Sequence, residues 1–344
     1  MAARHLRPHL MSRASWDHDG VRDDLRDYVV AGLGGQNAVL VVDETGDLKK
    51  GTATVGVQRQ YTGTAGRVEN AQVAVYLTYA TDAGHAFIDR ELYLPRSWAD
   101  NTDRRAAAGV PDEVAFATKP ALARQMIARA LDAGVPACWV TGDEVYGADP
   151  SLRGELEARR IGYVLAVGSD RRVVTGAGTM RADQVAKTLP RGAWQQRSAG
   201  AGAKGPRLYD WALVDIDADQ PGHRWLLVRR NHTTRELAYY RCYSPQPVPL
   251  SARLDEHQVR RWTSWHRWTI LSMLAHAFLA VLAATERSKR SEHAGAIPMT
   301  CNEIQPQRPV RRMYGQDADR RARTERLARS GAHAAQAFMA PARW

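Results

Sequence analysis

Apolar and polar positions along the chain change period several times, and each change marks an element. Asp17 to Val30 (DHDGVRDDLRDYVV) alternates charged with apolar residues at helical spacing, which predicts an amphipathic helix leading into a core. Ala38 to Val42 (AVLVV) is then a short Val-rich run, with glycines before it and DETGD after, the pattern of a buried strand ending in a polar loop. Gln72 to Tyr79 (QVAVYLTY) and His85 to Leu94 (HAFIDRELYL), joined by the turn signal Asp82-Ala83-Gly84, predict two more strands and so a three-stranded meander.

Lys119 to Ala133 carries apolar residues three and four apart and stops at Gly134-Val135-Pro136, a helix with a conventional end. Ala137 to Thr141 (ACWVT) reads as a strand running into Gly142-Asp143-Glu144, Leu152 to Arg160 as a second helix, and Tyr163 to Val167 (YVLAV) as the next strand. This alternation of strand and helix predicts an α/β core with parallel strands. From Ser169 to Pro206 the chain is rich in Gly and Arg without a clear period, with one helix start near Arg181 to Leu189, so an insertion off the core is expected. Strands at Trp211 to Asp215, Trp225 to Arg229 and Glu236 to Tyr243 follow, then a proline-bearing linker, Ser244 to Leu250. Gln258 to Glu286 is the longest helical pattern, and an Arg-rich tail closes the chain; no repeats occur. The expected parts are residues 1–36 (helical), 37–168 (core), 169–250 (insertion and β-rich segment), 251–303 (C-terminal helices) and 304–344 (basic tail).

Composition narrows the class. With 344 residues, 44% of them hydrophobic, the chain can bury one large core or two moderate ones, so wholesale disorder is excluded. The net charge is +11, and Arg outnumbers Lys, a balance suited to holding phosphate through forked guanidinium groups; a basic proteome would give the same charge. Cys138, Cys242 and Cys301 lie far apart with no zinc-like spacing, which suggests a reduced, cytoplasmic chain. No secretion signal is visible, and the most apolar run, Ile270 to Ala284, is broken by Ser272 and His276, so no membrane partner is expected. Trp262, Trp265, His266 and His276 are read as core packing with polar tips rather than as ligands.

Two aspartates could carry chemistry. Asp43 and Asp143 each directly follow a predicted strand, and the carboxyl ends of strands are where ligands gather in open α/β sheets. Converging carboxylates suit Mg²⁺, a hard ion that takes oxygen ligands, and a pair of such ions serves in-line displacement at phosphorus. For either residue alone, a strand end or a helix N-cap is the plainer reading.

The surrounding motifs go further. VVDETGDLKKG (Val41 to Gly51), VGVQRQYTGTAGRVENAQVAVYL (Val55 to Leu77) and WVTGDEVYG (Trp139 to Gly147) resemble the transposase domain of a large group of bacterial insertion sequences, within the DDE superfamily. The resemblance spans roughly Ser15 to Glu303. It implies an RNase-H-like α/β fold, a mixed sheet flanked by helices with a β-rich insertion and C-terminal helices. It implies Mg²⁺- or Mn²⁺-dependent cleavage and transfer of DNA strands at terminal inverted repeats, with Asp43 and Asp143, 100 positions apart, as catalytic metal ligands. It also implies DNA (element ends and target) as partner, a nucleoid association when bound, and an open question of homodimerisation. Lys49, Lys50, Arg59, Gln60, Tyr61 and Arg67 then become a basic, aromatic-bearing loop suited to backbone phosphates and a stacked base, where a solvated hairpin tip is the plainer alternative.

The departures shape the expectation as much as the match. The group's helix with Tyr, Arg, Glu and Lys at fixed spacing, whose Glu completes the acidic triad, has no counterpart: only Ser251, Ala252 and Arg253 stand between Leu250 and Leu254. Glu236 and Glu256 are weak stand-ins. The chain also starts short of the longer N-terminal helical region that the resemblance implies, and its tail after Ile304 departs from the group. An impaired transposase is expected, with a non-catalytic, transposase-derived DNA-binding protein as the alternative.

Overall fold

The computed structural model describes residues 16–36, 38–202 and 205–246, together with positions 277 and 281. Apart from Ala277 and Val281, the long helix expected from Gln258 to Glu286 lies outside the described residues, as do Glu256 and the basic tail. The described residues divide into two compact units, 16–35 with 45–116, and 36–44 with 117–246.

In the first unit, helix α1 (His18–Leu33) begins at Asp17, whose side chain accepts hydrogen bonds from the backbone N–H groups of Asp19 and Gly20. Leu25, Val29 and Leu33 form its buried stripe, the four-residue spacing that the sequence pattern predicts. Strand β1 (Ala38–Leu48) contributes Thr45–Leu48 to this unit and its first seven residues to the other. Strands β2 (Gln58–Thr62), β3 (Arg67–Thr81) and β4 (Gly84–Leu92) form an antiparallel meander. Residues 71–79 of β3 are buried without interruption, so both faces of that strand are covered. Two short helices, α2 (Arg96–Ala99) and α3 (Thr102–Ala108), follow, and the buried indole of Trp98 donates to the Val57 carbonyl at 2.8 Å.

In the second unit, helix α4 (Lys119–Asp132) starts at the cap Thr118 and buries Leu122, Ala123, Met126, Ile127 and Ala130. It leads into β5 (Ala137–Gly142), a single turn α5 (Glu144–Gly147), helix α6 (Pro150–Ala158) and β6 (Gly162–Val167). The β1 portion, β5 and β6 are parallel neighbours. A small hairpin, β7 (Arg172–Thr175) and β8 (Gly178–Arg181), and helix α7 (Ala182–Thr188) precede four antiparallel strands, β9 (Gln195–Gly202), β10 (Gly205–Asp215), β11 (His223–Asn231) and β12 (Leu237–Ser244). β12 pairs antiparallel with β6, so this sheet is mixed. Val167, Val173, Val185, Ile216, Leu226 and Val228 pack together as one of its cores.

The fold is thus the mixed α/β architecture, sheet with flanking helices, that the RNase-H-like expectation requires. Two local features differ from the sequence pattern. β1 does not stop at Val42 but stays extended through the polar DETGD to Leu48, because its backbone groups still find partners: the Thr62 hydroxyl donates to the Gly46 carbonyl at 3.2 Å, and just past the strand the Lys49 N–H donates to the Asn70 carbonyl at 2.8 Å. β2, β7 and β8 are short and largely polar, which gives no apolar alternation to detect.

Candidate active site and nucleic-acid surface

The β1–β5 ladder fixes the relation between the two aspartates. Val42 and Gly142 are Cα partners at the last paired position, and Asp43 and Asp143 come next on each strand. Neighbouring strands lie about 4.8 Å apart, so two carboxyl-bearing residues leave adjacent strands at the same end. Asp143 follows β5 as the sequence predicts, whereas Asp43 sits inside β1, past the end of its pairing with β5.

Asp143 caps α5, its Oδ1 accepting from the Val145 N–H at 2.9 Å, with the Tyr146 N–H contributing as well. The two glycines of the Gly-Asp-x-x-Tyr-Gly motif explain themselves sterically. A Cβ at Gly142 would lie 2.8 Å from Val42 Cγ1, and one at Gly147 would lie 1.8 Å from the Ala166 carbonyl oxygen. The first absence keeps β1 and β5 in close register, and the second lets α5 rest on the backbone of β6.

The electrostatics are those of a crowded anionic corner. Loss of hydration, then repulsion from Glu44, pushes the Asp143 carboxyl above the usual aspartate range, against the Val145 and Tyr146 N–H groups and Lys119. The buried Tyr146 hydroxyl is pushed well above the ordinary phenol range by burial first, then by Glu44, Asp43 and Asp143. All three carboxylates therefore act on one phenol.

Sequence reasoning missed Glu44, Tyr146 and Lys119, which this corner brings together. Tyr146 donates its hydroxyl proton to Glu44 Oε2 at 2.6 Å, and Lys119 Nζ donates to Glu44 Oε1 at 2.5 Å. The only signal available was that Glu44 and Tyr146 stand inside the motifs around Asp43 and Asp143.

A third acidic partner is not found in the described part. Among the described residues, no group of three or more His, Cys, Asp or Glu side chains is placed to hold a metal ion. Glu236 precedes β12, four residues beyond Tyr240, which pairs with Ala166 on β6. At about 3.4 Å per residue and two strand spacings of about 4.8 Å, Glu236 is far outside the reach of an ion at Asp143.

The six residues expected as a DNA-contacting loop lie in the first unit, mostly in strands. Arg59, Gln60 and Tyr61 belong to β2 and Arg67 opens β3. The register Tyr61↔Val68 and Arg59↔Asn70 places Arg59 and Tyr61 on one face of the hairpin, while Gln60 and Arg67 belong to the other. Tyr61 is 60% exposed and Val68 opposite it 50%. Gln60 is tied to the backbone, its amide donating to the Ala71 carbonyl at 2.8 Å, and Arg67 pairs with Glu69 at 2.8 Å. Lys50 is exposed. Lys49 is the correction: its side chain is buried and its ammonium pairs with Asp47, so it is withdrawn from any surface that DNA could touch in this conformation.

Among the described residues no helix is long and apolar enough to cross a membrane, and Cys138 and Cys242 are free thiols.

A sequence model of the family described as DDE superfamily endonuclease matches residues 8–205, more than half of the chain and including both aspartates. Over 167 residues the chain is 29% identical to a protein of Microchaete diplosiphon named "Probable transposase for insertion sequence element IS701". That alignment covers 48% of this chain and 41% of the relative, so the chain spans about two fifths of the relative's length.

Proposed function

The chain belongs to the DDE superfamily of endonucleases, and from that premise we propose that it derives from an insertion-sequence transposase and acts on DNA through Asp43 and Asp143. The observation that carries this reading is the register of Val42 with Gly142, which sets the two aspartates side by side within the matched region. Family members use divalent metal ions, and the residues present suit one: two hard carboxylate donors in an anionic corner whose repulsion a cation would relieve. Asp43 and Asp143 would hold Mg²⁺ or Mn²⁺, and such an ion supplies charge neutralisation at a phosphate undergoing in-line displacement. The chain's own groups do the rest. The N–H groups of Val145 and Tyr146 orient Asp143, Tyr146 and Lys119 hold Glu44, and the hairpin face of Arg59 and Tyr61, with Lys50, offers charge and a stacking ring to DNA.

We further propose that turnover is impaired, because the stretch from Leu250 to Leu254 supplies no acidic residue before Leu254 where the third ligand is expected. The test is a nicking assay on a duplex bearing an element end, in Mg²⁺ and in Mn²⁺, with Asp43→Asn and Asp143→Asn alongside. Salt-sensitive DNA binding in all three proteins is expected, with weak nicking by the native chain and none by the variants. Binding without nicking by the native chain assigns the non-catalytic reading. Nicking by both variants at the native rate removes the aspartates from the chemistry.

A further inference from the structure

We infer that Glu44 is a positioning residue rather than a third ligand, and that Tyr146 ties it to Asp143. This rests on the proposed ion site at Asp43 and Asp143.

Both oxygens of Glu44 are already engaged. Oε2 accepts from the Tyr146 hydroxyl at 2.6 Å and Oε1 from the Lys119 ammonium at 2.5 Å. Little water competes for them, since Tyr146 is fully buried and the side chains of Glu44 and Lys119 are 17% and 19% exposed. A cation taking this carboxylate would have to share its oxygens with a phenol donor and with an ammonium group whose charge repels it. Asp143, by contrast, accepts from backbone N–H groups and, among the described residues, meets no ammonium group in a hydrogen bond, which leaves acceptor positions for a cation.

Tyr146 works at both ends. Its backbone N–H helps to hold the Asp143 carboxyl, and its hydroxyl holds the residue next to Asp43. One residue, through its backbone at one end and its side chain at the other, thereby links the two strand ends on which the proposed ion depends. Its ring is fully buried beside Gly142, so it has little room to swing away.

Lys119 gives independent support. It is the first residue of α4, where the helix dipole disfavours a cation, and that first turn carries no acidic residue. A lysine there is explained by the Glu44 carboxylate it meets, not by helix formation. Groups that orient ligands from behind are commonly worth 10- to 100-fold in metal affinity.

The experiment is Mn²⁺ binding to the full chain, read by the electron paramagnetic resonance of free Mn²⁺, for the native protein, Tyr146→Phe, Glu44→Gln and Asp143→Asn. Circular dichroism of each variant checks that it is folded. Tyr146→Phe removes one oxygen and no charge, and about a tenfold weaker, still saturable binding is expected. Glu44→Gln is expected to weaken binding without abolishing it, and this variant decides if Tyr146→Phe fails to fold. Native affinity in a folded Tyr146→Phe, or in Glu44→Gln, overturns the inference. So does loss in Glu44→Gln as complete as in Asp143→Asn, which would make Glu44 a ligand. No Mn²⁺ binding by the native chain removes the two-aspartate site itself, a failure distinct from the others.

Discussion

Val42 and Gly142 face each other at the last paired position of the β1–β5 ladder, and the residue after each is an aspartate. Parallel pairing makes this meaningful. In an antiparallel pair the next residues would diverge to opposite ends, whereas here both chains advance in the same direction and deliver Asp43 and Asp143 together. Gly142 permits the approach, since any side chain there would press on Val42 and Tyr146.

Replacing Asp143 by Asn is expected to stabilise the cation-free chain at neutral pH. The folded-state carboxyl titrates above its usual range, chiefly through lost hydration and then through Glu44. Its protonated form therefore favours folding below the unfolded carboxylate range, and this contribution is lost as pH rises through the raised value. Asn keeps the acceptor for the Val145 N–H and never ionises. Thermal unfolding in chelator should show a higher midpoint for Asp143→Asn at pH 7 and little difference at pH 3. A lower midpoint at pH 7 would contradict the electrostatics.

The β2–β3 hairpin predicts a division among residues that are close in sequence. Arg59→Ala should weaken DNA binding and reduce the dependence of log K on log salt by about 0.9, the loss of one phosphate contact. Tyr61→Ala should cost about 1–3 kcal/mol of binding to single-stranded DNA if a base stacks on the ring. Lys49→Ala should leave the salt slope unchanged and lower stability instead, because it removes a buried side chain whose ammonium pairs with Asp47. Fluorescence anisotropy across a salt series checks the three effects on binding, and a Lys49 effect equal to that of Arg59 would contradict the withdrawal of Lys49 from the surface.

The motif glycines should separate by what they touch. Gly147→Ala drives a Cβ into a backbone carbonyl, so a loss of about 3 kcal/mol is expected. Gly142→Ala meets side chains that can shift, so about 1–2 kcal/mol is expected. Urea denaturation measures both, and the reverse order would contradict the packing of α5 on β6.

How much of this was legible in the sequence follows from the physics of each signal. Apolar runs of four to eight residues announced β1, β5, β6 and the core of β3, because buried strands must be apolar. Asp43 and Asp143 were legible as residues at the ends of those runs. The extension of β1 through DETGD was not, since the stretch is polar and what holds it, such as the Lys49 N–H donating to the Asn70 carbonyl just past its end, leaves no apolar pattern. Nor was the Glu44 cluster: its partners stand 75 and 102 positions away, and only folding reveals such a contact. The segment expected to contact DNA read as one patch because charge was counted along the chain, while alternation within a strand sends Arg59 and Tyr61 one way and Gln60 and Arg67 the other.

The most direct test is to locate the ion. Crystals of the full chain soaked in Mn²⁺ and measured at the manganese edge should give an anomalous peak at carboxylate contact distance from both Asp43 and Asp143, with Glu44 still held by Tyr146 and Lys119. A peak elsewhere, or two aspartates turned apart with no ion between them, would contradict the site on which the proposed chemistry depends.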